Sequence, residues 1–60
     1  MIEHLHRIAR ENARGDRTGW ARRGDILVAY YPRCGRYAHF LRPWGVVNRR
    51  DLEIHLARAA

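Results

Sequence analysis

Lysine is missing altogether: the 12 basic side chains of this 60-residue chain are all arginine, set against six carboxylates, for a net charge of +6. Arginine used to the exclusion of lysine reports first on a GC-rich genome, because arginine codons are largely GC-rich and lysine codons are not. Cysteine is down to one residue, Cys34, which excludes an intrachain disulfide and agrees with a reducing compartment. No apolar run approaches the roughly 18 residues a membrane span takes. Residues 1–15 carry charge throughout, so a signal-peptide core is not expected and cytoplasmic residence is. Repeats and low-complexity stretches are lacking as well, and a single domain is expected over these residues. Length is itself scarce, since a chain of this size buries roughly 60% of its unfolded surface. Support from a structural metal, a dimer interface or a bound partner is therefore worth looking for.

What is present reads as one folded α+β domain over residues 1–60, in the order helix, β-hairpin of two or three antiparallel strands, helix. Ile2, Leu5, Ile8, Ala9 and Ala13 fall on one helical stripe, which predicts an amphipathic helix over 2–14. On its wet side Glu3–Arg7 and Arg7–Glu11 stand at i, i+4, each pair contributing about 0.2–0.5 kcal/mol. Gly15 supplies the left-handed residue that commonly closes a helix. Residues 15–24 hold three glycines and one large apolar group, Trp20, and read as a loop pinned by a tryptophan. The run Ile-Leu-Val-Ala-Tyr-Tyr predicts a strand over 25–31, the turn composition Pro32-Arg33-Cys34-Gly35 follows it, and a second strand covers 36–42. Closing the hairpin on that turn pairs Tyr31 with Arg36, Val28 with His39, Ile26 with Leu41 and Asp25 with Arg42. Val46-Val47 can add a short third edge strand. Asn48 is placed as N-cap of a helix over 49–59, with Asp51 in the reciprocal capping position and Val47 and Leu52 set for a hydrophobic staple. Leu52, Leu56 and Ala59 form its inward stripe.

The hairpin is apolar on both faces. One carries Ile26, Val28, Tyr30, Tyr37, His39 and Leu41, the other Leu27, Ala29, Tyr31, Ala38 and Phe40. Antiparallel sheets usually wet one face. Either the helices lie on opposite sides, or the second face meets a second copy or a foreign partner. The arginines gather around the first loop (Arg14, Arg17, Arg22, Arg23), at the hairpin tip (Arg33, Arg36) and at the last helix start (Arg49, Arg50). Arginine offers a bidentate fork to phosphate, and interleaved aromatics permit base stacking. In a lysine-free chain, arginine must also keep the surface soluble. Arg49 and Arg50 occupy the first helical positions, where the macrodipole disfavours cations and free N–H groups favour an anion. That position suits a docked phosphate or a partner's carboxylate, unless solvent screening makes the penalty small.

These features predict a non-enzymatic binding protein docking on a nucleic acid or a nucleic-acid-handling complex. Arg22, Arg23, Arg33, Arg36, Arg49 and Arg50 are the expected contacts, with Trp20, Leu27, Tyr31, Phe40 and Trp44 as apolar anchors. The alternative is a protein-only inhibitor of the kind phages and mobile elements encode, directed at a CRISPR effector or RNA polymerase. Self-association as a homodimer is another use of the second face. No metal and no cofactor is expected. His4, His6, Cys34, His39 and His55 lack the close ligand pairs of a zinc site, and His4 and His6 point about 200° apart around a helix.

A further alternative is a small ribonuclease toxin. His39 stands among Arg36, Tyr37 and Arg42, the residue types of metal-independent acid–base work on phosphate, although a histidine satisfied by its neighbours is the plainer role. The element order and size resemble the small HicA-type toxins and the double-stranded-RNA-binding domain, and Gly19-Trp20 after the first helix echoes the former. The glycine, serine and histidine of the toxins' first strand are absent, and Gly24-Asp25-Ile26 stands instead.

Overall fold

A computed structural model describes residues 2–59, less the side chain of Ala59, so the inward place expected for that residue lies outside the described side chains. The elements run α1 (Ile2–Asn12), β1 (Gly19–Arg23), β2 (Ile26–Tyr31), β3 (Arg36–Leu41), β4 (Gly45–Val47) and α2 (Arg49–Ala59). This is a small α+β domain whose strands form one antiparallel sheet in the order β1-β2-β3-β4. The central hairpin has the expected register: Ile26 faces Leu41, Val28 faces His39 and Tyr31 faces Arg36. Its turn closes as the carbonyl of Tyr31 accepts the N–H of Gly35 at 2.8 Å, while the N–H of Arg42 reaches the Asp25 carbonyl at 2.9 Å beyond the other end.

Residues 15–24 are not all loop, because Gly19–Arg23 is an edge strand paired with β2, Trp20 opposite Ala29 and Arg22 opposite Leu27. No β-branched residue marks it. Tertiary contacts make it: Ala21 is buried with the α1 stripe, and Asn12, the last residue of α1, donates its side-chain N–H to the Trp20 carbonyl at 2.8 Å. Gly19 passes so close to α1 that a Cβ there would fall 2.0 Å from the Ala9 carbonyl oxygen and 2.4 Å from the Ala13 nitrogen. The helix stops at Asn12 rather than 14. Gly15 takes the left-handed conformation, φ 56°, in a tight turn where Arg14 and Arg17 exchange both backbone hydrogen bonds.

One core joins Ile2, Leu5 and Ala9 of α1, Leu52 of α2, and Ala21, Ile26, Val28 and Leu41 of the sheet. The sheet contributors share a single face, so both helices lie on that face, α1 against β1 and β2 and α2 against β3. At the start of α2 the Asn48 side-chain oxygen accepts the Asp51 N–H at 2.7 Å, the N-cap expected there. Among the described residues no buried side-chain polar atom lacks a partner, and no helix is long and apolar enough to cross a membrane.

Candidate functional site

Period-two alternation delivers the second face of the sheet to solvent, since no helix covers it. Its middle row is Trp20, Ala29 and Ala38. The row on one side is Arg22, Leu27, Phe40 and Val46, and on the other Tyr31 and Arg36. Trp20 and Phe40 reach toward each other across β2, with ring centroids 5.7 Å apart and planes inclined at 36°. Ala29 points to this open face yet is fully buried, so the large side chains around it close over its methyl group. Trp20 nevertheless remains 48% exposed, Tyr31 is exposed, and Val46 stands clear of the surface. An uncovered apolar patch of this kind, on a domain with so little core, is the usual mark of a contact surface.

The residues singled out in the sequence divide in space. Trp20, Arg22, Leu27, Tyr31, Arg36 and Phe40 converge on the open face, with Arg33 in the turn between Tyr31 and Arg36. Arg22 is partly oriented by its Nε–H, which donates to the Gly24 carbonyl at 3.1 Å and uses one of five guanidinium donors. Arg23 lies opposite Ile26 on the helix side, Arg50 is on α2, and Trp44, 75% exposed, projects from the β3–β4 turn. Arg49 has another role. Its guanidinium pairs with Glu3 of α1 and, through Nε at 2.9 Å, with Glu53 one turn along α2. The two carboxylates offset the unfavourable placement of a cation at a helix start, and the Glu3 pair joins α2 to α1. Glu3 is held below the usual carboxylate range by a backbone hydrogen bond and by Arg49.

Most of the net charge lies outside the helices. Arg7 and Arg10 of α1 balance Glu3 and Glu11, and α2 carries one positive excess, Arg49, Arg50 and Arg58 against Asp51 and Glu53. The other five of the six net charges therefore belong to the strands and their connections. No strand contains a carboxylate, whereas β1 holds Arg22 and Arg23 and β3 holds Arg36.

A second cluster lies on the helix side. His6 of α1 and His39 of β3 meet Nε2 to Nε2 at 2.8 Å, so one ring donates and the other accepts. His6 also stacks on Tyr37, centroids 3.9 Å apart, and Arg10 reaches the Tyr37 hydroxyl at 3.5 Å, the long limit of a hydrogen bond. The contact spans 33 residues of sequence, and nothing local to His6 announces it. Among the described residues no three histidine, cysteine or carboxylate side chains are grouped to hold a metal ion. Both imidazoles are depressed below 6.5: His6 by burial, then by His39, Arg49 and Arg10, against an opposing pull from Glu3, and His39 by burial and Arg49. The unfolded chain thus takes up these protons more readily than the folded one. Their contribution to stability is full above the ordinary imidazole range near 6.5 and declines as the pH falls through and below it. Thermal melts between about pH 7.5 and pH 5, a window of about two and a half units around that range, are expected to show a falling Tm. In His6→Gln the fall should be shallower, and an unaltered slope would remove the pair as its source. No protein-family model matches this chain, and neither a curated protein nor a solved structure does.

Proposed function

We propose that the chain is a non-catalytic binding module that holds a nucleic acid against the open face of its sheet. The observation that carries this reading is the composition of that face: Trp20, Tyr31 and Phe40 beside Arg22 and Arg36, on strands without a single carboxylate. Arginine matches phosphate as a fork, the rings offer surface to bases, and the missing acids remove the repulsion a polyanion would meet. The unpaired, exposed Cys34 fits work in the reducing cytoplasm. Catalysis is not part of the proposal, because the histidines that suit acid–base work spend their Nε2 atoms on each other at 2.8 Å, a separation too small to admit a phosphate.

The test is binding of fluorescently labelled oligonucleotides across a salt series. Log affinity should fall linearly with log salt, and Arg22→Gln and Arg36→Gln should each reduce the slope by about 0.7–0.9. Arg58→Gln, on α2, serves as the control. A second reading rests on the apolar members of the same face, Leu27, Phe40 and Val46. It makes the chain a protein-directed inhibitor of the phage or mobile-element type, with a CRISPR effector or RNA polymerase as target. Affinity for such a partner would hardly respond to salt, and the oligonucleotides would not bind.

A further inference from the structure

We infer that the open face selects single-stranded nucleic acid, taking unstacked bases on the Trp20–Phe40 pair and on Tyr31 while Arg22 and Arg36 meet the flanking phosphates. The inference deepens the nucleic-acid reading above and rests on it.

Three observations narrow the ligand. The first is shape: both helices are committed to the other face, and the open side is a four-stranded sheet, broader than the single helix or two-stranded ribbon that a duplex major groove admits. The second is the apolar character of the central row and its neighbours. A duplex presents phosphates and base edges outward and hides its base faces, so Trp20 and Phe40 would meet nothing that rewards their exposure. Splayed bases offer those π-faces directly. The third is spacing. The rows on which Tyr31, Trp20 and Arg22 stand succeed one another at two-residue steps along the strands, about 6.7 Å apart. That is about twice the 3.4 Å rise between stacked bases on one strand of a duplex. Bases resting on successive rows must therefore part from one another, which a single strand does and a duplex does not. The alanines assist, since Ala29 and Ala38 in the middle row leave room above them for the large rings on either side.

The experiment uses the full chain carrying Trp44→Phe, so that Trp20 is the only tryptophan, with oligothymidylate, a duplex of equal length and an oligomer of abasic sites as probes. Oligothymidylate should quench Trp20 fluorescence and bind at least tenfold more tightly than either of the other two. Followed through labelled oligothymidylate, which does not depend on tryptophan, Trp20→Ala and Phe40→Ala should each weaken binding by roughly five- to 150-fold, the range alanine substitution gives for one base–aromatic stack. The abasic comparison uses the unaltered face and stands even if a variant folds poorly. Equal binding of all three probes with a steep salt slope overturns the single-strand assignment and leaves the nucleic-acid reading in place. Binding of none, or a dimer in which Trp20 is shielded before any probe is added, overturns both.

Discussion

Gly19→Ala is expected to abolish the cooperative thermal transition of this domain, although the change adds a single methyl group. Gly19 is not among the left-handed glycines, so alanine is conformationally acceptable there. The obstacle is space. The new Cβ would fall 2.0 Å from the Ala9 carbonyl oxygen and 2.4 Å from the Ala13 nitrogen, both backbone atoms, and these two atoms are hydrogen-bonded partners in the last turn of α1. Nothing there can rotate aside. Relief requires β1 to move off α1, which uncovers Ala21 and breaks the Asn12 bond to the Trp20 carbonyl. Gly24→Ala is the informative contrast: its φ of 59° costs about 1–2 kcal/mol for a residue with a Cβ, but the methyl group meets nothing within 4 Å. Circular dichroism should therefore show a lowered but sharp melt for Gly24→Ala and none for Gly19→Ala. A wild-type Tm in Gly19→Ala would mean that α1 and β1 do not approach this closely. Because Trp20 is the next residue, loss of β1 also disperses the open face.

The second large effect is expected at Leu52→Ala. Leu52 has no exposed surface and is the only fully buried residue among the described side chains of α2, where Leu56 is half-buried and Ile54 is 45% exposed. Truncating a buried leucine to alanine costs about 2–5 kcal/mol. A domain of this length has only about 3–9 kcal/mol in all, at 0.05–0.15 kcal/mol per residue. Leu52→Ala should therefore melt α2 or unfold the chain at ordinary temperature, read as lost helical ellipticity. Ile54→Ala, two positions along the same helix, should leave the melt within about 0.5 kcal/mol of wild type. Equal effects of the two would show that α2 does not dock through Leu52.

The parts of this fold that were legible in the sequence are those decided by neighbours in the chain. The hairpin register follows from the turn at Pro32-Arg33-Cys34-Gly35, and the start of α2 from Asn48 standing three residues before Asp51. β1 was not legible because its cause lies elsewhere. Gly-Trp-Ala-Arg-Arg has weak strand propensity, and pairing with β2 under the cover of α1 overrides it. The same distinction governs the site. Trp20, Tyr31 and Phe40 could be named as anchors from residue type, and Arg22 and Arg36 as cations, but only the β1–β2–β3 register assembles them on one surface. Arg49 looked like an anion-docking residue because its partner Glu3 is 46 residues away. His6–His39 is another long-range meeting that periodicity cannot announce.

The near-neutral helices behind strands that carry Arg22, Arg23 and Arg36 and no carboxylate also give the molecule an electrical direction. In the field of a distant polyanion it experiences a torque as well as an attraction, and the sheet turns to lead before any contact forms. On the nucleic-acid reading proposed above, encounters then arrive preferentially with the open face forward, which relaxes the orientational restriction that slows most macromolecular association. For so small a chain the gain is kinetic: added salt should reduce how often it lands correctly far more than how long the apolar contacts hold once made.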